Sequence, residues 1–236
     1  MNATERAKNA RDRLIIALDY ADAGHAIDCA GDLRGEISCF KIGLQLYTAA
    51  GPEIVRAVAE TNAKIFLDLK LHDIPNTVAK AVESAAALGV QMLTIHLSGG
   101  RQMIEAAVAA SPPDLLLLGV TVLTSSDDAT LRETGVGSGV QEQTMRLAEL
   151  GAAAGIRGFI ASPQEVQSLR AQLGDEITIV TPGVRPEWSS SDDQKRFTTP
   201  REALLNGADY LVIGRPVTAH AEPREAVRKI LGELAS

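Results

Sequence analysis

An α/β fold, closed as a single-domain (β/α)8 TIM barrel, is predicted by three observations. Eight short apolar segments recur along the chain, with longer amphipathic stretches between them. The segments are continuously apolar, the pattern of parallel strands covered on both faces. The chain has 236 residues, a length that suits eight β/α units, and no low-complexity linker divides it. A doubly wound open sheet is the alternative that the same alternation allows. Residues 1–236 are read as one barrel domain, with residues 1–12 a polar N-terminal tail for which fraying is expected.

The strands follow in order. LIIALD (14–19) is the first, CFKIGL (39–44) the second, KIFLDLK (64–70) the third and MLTIHL (92–97) the fourth. LLLLGVTVL (115–123), GFIAS (158–162), TIVTPG (178–183) and YLVIGR (210–215) complete the set. Between them, PEIVRAVAE, NTVAKAVESAAALG, RQMIEAAVAA and TMRLAELGAAAG repeat apolar residues at three- and four-residue steps, which predicts helices. Two connections are long and polar: TSSDDATLRETGVGSGVQEQ after strand five and RPEWSSSDDQKRFTTP after strand seven. Long loops of this kind are lids, binding loops or disorder, and both follow strands on the face where barrels build active sites.

Composition narrows the function. Hydrophobic residues make up 45% of the chain and aromatic residues only 3%, so the core must be aliphatic. A formal net charge of −7 argues against a nucleic-acid or anionic-membrane surface, although local cations can still hold an anionic ligand. Cys29 and Cys39 have no metal-ligand spacing and form no expected disulfide scaffold. The start, MNATERAKNARDR, lacks an apolar signal region, and LLLLGVTVL is too short to span a bilayer. A cytoplasmic protein is expected.

Barrel strands should be apolar, so the polar residues at their C-terminal ends are informative. They are Asp19, Lys41, Asp68, Lys70, His96, Thr121, Thr124, Arg185 and Arg215. Asp68 and Lys70 lie two apart on one strand and share a face; Lys41, on the neighbouring strand, can point to the same place. Asp19 alone reads equally well as a helix cap, since DYAD can open a helix. His96 reads as structural. Asp68, Lys70 and Lys41 together mark a functional site better than a passive ion-pair network. A second constellation, TPGVRP (181–186) and IGRPVT (213–218), stands at the strands whose loops commonly bind phosphate in barrels. Gly183 and Gly214 allow close backbone approach, Arg215 offers a charge-assisted contact, and Gln194 can reach the same anion from its polar loop. No nicotinamide fingerprint, Walker loop or zinc cluster is present. The residues therefore describe a barrel enzyme for a phosphorylated small molecule, acting by proton transfer or carbanion stabilisation.

IIALDY, FKIGLQLY, FLDLKLHDIPNTV, IHLSGG, GVTVLTS, VTPGVRP and YLVIGRPVT occur in that order. With these motifs the sequence resembles the orotidine 5'-phosphate decarboxylase family, in its shorter bacterial type, over nearly its whole length. The D-x-K-x-x-D-I-P-N-T string is the most specific part; the shorter D-x-K-x-x-D also occurs in related phosphosugar enzymes. The resemblance implies decarboxylation of orotidine 5'-monophosphate to uridine 5'-monophosphate with no cofactor and no metal. It implies that Asp19 and Lys41 hold the ribose, that Asp68 faces the substrate carboxylate and that Lys70 protonates the ring carbon. It also implies a homodimer in which Asp73 and Thr77 enter the partner's site. Lys41, Asp68, Lys70 and Asp73 would then form an alternating array. Thr124 would touch the pyrimidine, and Arg185, Gln194, Gly214 and Arg215 would serve the phosphate. Segment 125–144 matches less clearly and supplies no site residue. Two other readings are a Mg²⁺-dependent phosphosugar enzyme and a binding or scaffold protein. The first lacks a carboxylate beside Lys41 and Gln45 to partner Asp68; the second has no use for four alternating charges.

Overall fold

The computed structural model of the chain describes residues 10–189 and 198–235. Its centre is a closed barrel of eight parallel strands in sequential order. They are β1 (Leu14–Ala17), β2 (Cys39–Gly43), β3 (Lys64–Leu71), β4 (Met92–His96), β5 (Leu116–Val120), β6 (Gly158–Ile160), β7 (Thr178–Thr181) and β8 (Tyr210–Ile213). Pairing of β1 with β8, Ile15 opposite Val212, closes the ring, so the open-sheet alternative is excluded. Alternate residues form two cores. Ile15, Ala17, Cys39, Phe66, Met92, Leu118, Val180 and Val212 fill the barrel interior. Their neighbours, such as Ile16, Phe40, Leu67, Leu93 and Ile213, meet the helices outside. Phe40 and Phe66 are fully buried, and burial of a side chain of that size contributes roughly 2–3 kcal/mol.

Eleven described helices surround the strands: α1 (Ala23–Asp32), α2 (Leu44–Ala50), α3 (Glu53–Ala59), α4 (Pro75–Ala86), α5 (Gly100–Ala110), α6 (Asp128–Glu133), α7 (Val140–Ala153), α8 (Val166–Leu173), α9 (Pro200–Leu205), α10 (Arg215–Thr218) and α11 (Pro223–Ala235). Their buried faces follow helical spacing: Val78, Val82 and Ala85 on α4, and Ala226, Val227 and Ile230 on α11. Pro75 starts α4 at a position where its missing N–H costs nothing. Thr199 and Glu202 close a capping box on α9.

Several strands end earlier than expected, so that Leu44 and Arg215 begin helices, and two segments depart further from the sequence expectation. The connection after β5 holds a helix, α6, and α7 begins at Val140, earlier than its apolar repeat shows. Asp127 caps α6 by accepting from Thr130 N–H at 2.8 Å, and Asp128 accepts from Val140 N–H at 2.8 Å, so two short polar side chains order this segment. At the N-terminus residues 10–13 are helical and Ala10 is buried. The described chain thus enters β1 through a helical turn, and most of the expected tail, residues 1–9, lies outside the described residues.

Candidate active site

The C-terminal end of the barrel opens into a cavity of about 800 Å³. Asp19, Lys41, Asp68, Lys70, Thr124, Gly183, Arg185, Gly214 and Arg215 all line it. One side holds the alternating charges. Lys41 faces inward from β2, buried to 9% exposure, and Asp68 faces inward from β3. Pairing of the two strands sets Gly43 opposite Asp68, one step of side-chain alternation beyond Lys41. The Lys41 ammonium donates to Asp19 Oδ1 at 3.0 Å and lies 3.4 Å from Asp68 Oδ2. The Lys70 ammonium donates to Asp68 Oδ1 at 2.7 Å. Two carboxylates and two ammonium groups thus alternate in a single row.

Burial works to raise the Asp68 pKa. Lys41 and Lys70 oppose it with their charges, helped by hydrogen bonds from Lys70 and Thr94, and the net effect holds the carboxyl below its usual range. Asp68 is a firm anion. Asp19 is not the helix cap that its sequence also allowed, because Asp22 caps α1 by accepting from His25 N–H at 3.0 Å.

Two residues of this row were missed in the sequence. Gly43 is the first: a Cβ there would stand 3.0 Å from Lys41 Nζ and 3.1 Å from Asp19 Oδ1, so a side chain would crowd the pair. Thr94 is the second. It is fully buried on β4, accepts from Lys70 N–H at 2.8 Å and donates to Asp68 Oδ1 at 2.9 Å. Its signal was a hydroxyl inside the otherwise apolar MLTI, beside the charged strand. Lys70 itself adopts φ +50°, a left-handed conformation that costs an L-residue roughly 1–2 kcal/mol.

The other side of the cavity is cationic. Gly183 has φ +78°, which lets the turn after β7 curl toward the opening. Arg185 is held by its backbone, which donates to Thr198 C=O at 3.1 Å. Gly214 leads into the short α10, whose Thr218 carbonyl accepts from the Tyr20 hydroxyl at 3.1 Å, tying the β8 loop to β1. Among the described residues neither Arg185 nor Arg215 makes an ion pair. Gln194 lies outside the described residues.

Asp73 and Thr77 do not reach this cavity within one chain. They line a second hollow of about 320 Å³, next to Leu69 and Val78, and Lys70 borders both spaces. Asp73 is exposed and accepts from Ile74 N–H at 2.7 Å, and Ile74 beside it is 67% exposed. His96 also stays outside the main cavity, with its ring 5.5 Å from that of His72. Burial, and then the charges of His72 and Lys70, lower its pKa and favour the neutral imidazole. Among the described residues no group of three or more His, Cys, Asp or Glu side chains is placed to hold a metal ion.

With that geometry in place, comparison with known proteins is specific. The model of the orotidine 5'-phosphate decarboxylase / HUMPS family matches residues 12–230. The chain is 50% identical over 226 residues to an orotidine 5'-phosphate decarboxylase of Opitutus terrae, covering 94% of this chain and 98% of the relative. It is 46% identical over 237 residues to that of Syntrophotalea carbinolica, covering 96% of each. Among solved structures, orotidine 5'-phosphate decarboxylase from Lactobacillus acidophilus superposes with a TM-score of 0.84 at 35% identity, covering 95% of this chain and 100% of that one.

Proposed function

The chain belongs to the orotidine 5'-phosphate decarboxylase / HUMPS family, and on that premise we propose how its barrel mouth works on the substrate. It is a carboxy-lyase that converts orotidine 5'-monophosphate to uridine 5'-monophosphate in pyrimidine biosynthesis. The phosphate sits between Arg185, Arg215 and the backbone at Gly183 and Gly214, and Gln194 is assigned to the same phosphate from the sequence. The ribose hydroxyls meet Asp19 and Lys41, and Thr124 touches the pyrimidine. That placement sets the ring carboxylate beside Asp68 and the carbon that bears it near Lys70.

The chemistry then follows from charge. Loss of CO₂ leaves an electron pair on ring carbon C6, and no ring orbital delocalises it. A fixed ammonium lowers the energy of that charge as it develops, because it needs no reorganisation. Lys70 then gives C6 a proton and leaves as a neutral amine, which solvent reprotonates. Asp68 orients Lys70 and repels the substrate carboxylate. Phosphate binding, remote from the breaking bond, helps hold the reacting end in place.

The observation that carries this reading is the Lys41–Asp68–Lys70 row in one cavity whose lining also includes Arg185 and Arg215. It also favours metal-free chemistry. Asp19 and Asp68, the carboxylates that would attract Mg²⁺, already share the Lys41 ammonium between them. The site is completed in a homodimer: Asp73 and Thr77 from one subunit approach the other's Lys70, a role supported by their exposed position around Ile74 and the smaller hollow. The rest of the reading is a single-domain cytoplasmic enzyme with a small-molecule substrate and no nucleic-acid or membrane partner. No helix among the described residues is long and apolar enough to cross a membrane.

The test is ultraviolet detection of orotidine 5'-monophosphate turnover with EDTA present, for the wild type and for Lys70→Ala. Turnover that survives EDTA and disappears in the variant is expected. Activity lost to the chelator would move the chemistry to a metal, and an active Lys70→Ala chain would remove the proton donor.

A further inference from the structure

Lys70 sits where β3 falls out of step with β4. Leu67 pairs with Leu93 and Leu71 pairs with Ile95. Three residues of β3, Asp68, Leu69 and Lys70, therefore stand opposite one residue of β4, Thr94. Bulges are rare between parallel strands, and each removes ladder hydrogen bonds. Here the backbone N–H of Lys70 would lose its acceptor in a partly buried place, where an unpaired donor is costly. The Thr94 side chain takes the bond instead, at 2.8 Å.

The same hydroxyl has one proton to give, and gives it to Asp68 Oδ1 at 2.9 Å. That oxygen also accepts from the Lys70 ammonium at 2.7 Å. The contacts form a closed circuit: Lys70 N–H to Thr94 Oγ1, Thr94 O–H to Asp68 Oδ1, and Lys70 Nζ back to the same oxygen. Both ends of one lysine are thereby referred to one hydroxyl. The circuit also spans the residue whose φ is +50°, a conformation that persists only where its surroundings impose it.

We propose that Thr94 is a positioning residue for decarboxylation: its hydroxyl holds the β3 bulge and the Asp68 carboxylate in the arrangement that aims the Lys70 ammonium at the reacting carbon. The inference rests on the assignment of Lys70 as proton donor. Thr94 is fully buried behind the cavity wall and is not placed to touch substrate. Its effect is therefore expected on the chemical step and not on binding at the phosphate end. Valine matches threonine in shape but can neither accept from Lys70 N–H nor donate to Asp68. Serine retains both bonds.

The experiment compares Thr94→Val, Thr94→Ala and Thr94→Ser by kcat, by KM, by affinity for the product uridine 5'-monophosphate and by thermal unfolding. Misplacement of a reacting group by a fraction of an ångström to one ångström supports an expected fall in kcat of roughly 10–100-fold for Thr94→Val. Product affinity should change by less than about threefold, a difference small against one tenfold step of 1.4 kcal/mol. Thr94→Ser should recover most of the lost kcat. If Thr94→Val does not fold, Thr94→Ala carries the same expectation. The proposal is overturned if the folded hydroxyl-free variant turns over at the wild-type rate. It is equally overturned if Thr94→Ser is as slow as that variant, or if kcat and product affinity fall together. Lys70→Ala in the same assay separates the two levels: an active Lys70→Ala chain refutes the donor assignment, whereas an inactive one beside a fast Thr94→Val refutes only the role of Thr94.

Discussion

Asp68→Asn isolates the charge at the centre of the site while preserving its shape. The carboxylate lies 2.7 Å from the Lys70 ammonium and 3.4 Å from that of Lys41, and its side chain is 13% exposed. At an effective dielectric constant of about 20, those two contacts correspond to gross attractions of roughly 6 and 5 kcal/mol. Desolvation of the three groups cancels much of this, and Lys41 keeps Asp19 at 3.0 Å while Lys70 is 29% exposed, so loss of the shared anion costs about 1–3 kcal/mol of folding stability. The effect on the substrate has the opposite sign. A carboxylate on the ligand, placed about 4 Å from Asp68, is repelled by roughly 4 kcal/mol at the same dielectric constant, up to about 10³ in affinity. The amide removes that repulsion and leaves the neighbouring cations to attract. Asp68→Asn is therefore expected to unfold at lower urea concentration. It should bind orotidine 5'-monophosphate more tightly relative to uridine 5'-monophosphate, and lose roughly 10²–10³-fold in kcat as Lys70 loses its orienting partner. Urea unfolding by circular dichroism, calorimetric product binding and rapid-quench kinetics measure the three quantities; with chemistry this slow, KM approaches the substrate dissociation constant. A variant with kcat within tenfold of wild type refutes the orienting role. A variant whose affinity for the carboxylate-bearing substrate falls while product affinity holds refutes the electrostatic account.

Two further results are expected. Arg215→Ala should reduce kcat/KM for orotidine 5'-monophosphate by roughly 10²-fold or more while leaving the slow reaction of the bare nucleoside nearly unchanged, because a charge-assisted phosphate contact is lost only where a phosphate exists; equal losses on both would remove the arginine from the phosphate site. Inactive Lys70→Ala and Asp73→Asn chains, mixed and allowed to exchange subunits, should regain roughly a quarter of wild-type activity if each site draws Lys70 from one chain and Asp73 from the other; no recovery after demonstrated exchange would confine the site to a single subunit.

Much of this was legible in the chain alone, and the limits of legibility are physical. Within one strand, side chains alternate with a period of two, so the shared face of Asp68 and Lys70 followed directly from their spacing. The eight apolar segments and their helical partners were readable for the same reason, because each element must bury its own apolar face. So was the pairing of the two glycine-containing turns after β7 and β8. The helix α6 was obscured by its polar loop composition, although its capping aspartates were present in the sequence.

Relations between strands were decided only by barrel closure. Lys41 lies between Asp19 and Asp68 because β1, β2 and β3 adopt one particular register, which no local pattern encodes. Gly43 matters because that register brings the Lys41–Asp19 pair over it. The offset between β3 and β4, the left-handed backbone of Lys70 and the hydroxyl of Thr94 that satisfies it have the same origin. Local propensity would assign a positive φ to glycine or asparagine, not to lysine. A lysine adopts it here because neighbouring strands supply the bonds that make the conformation tolerable, and those bonds exist only once the ring is closed.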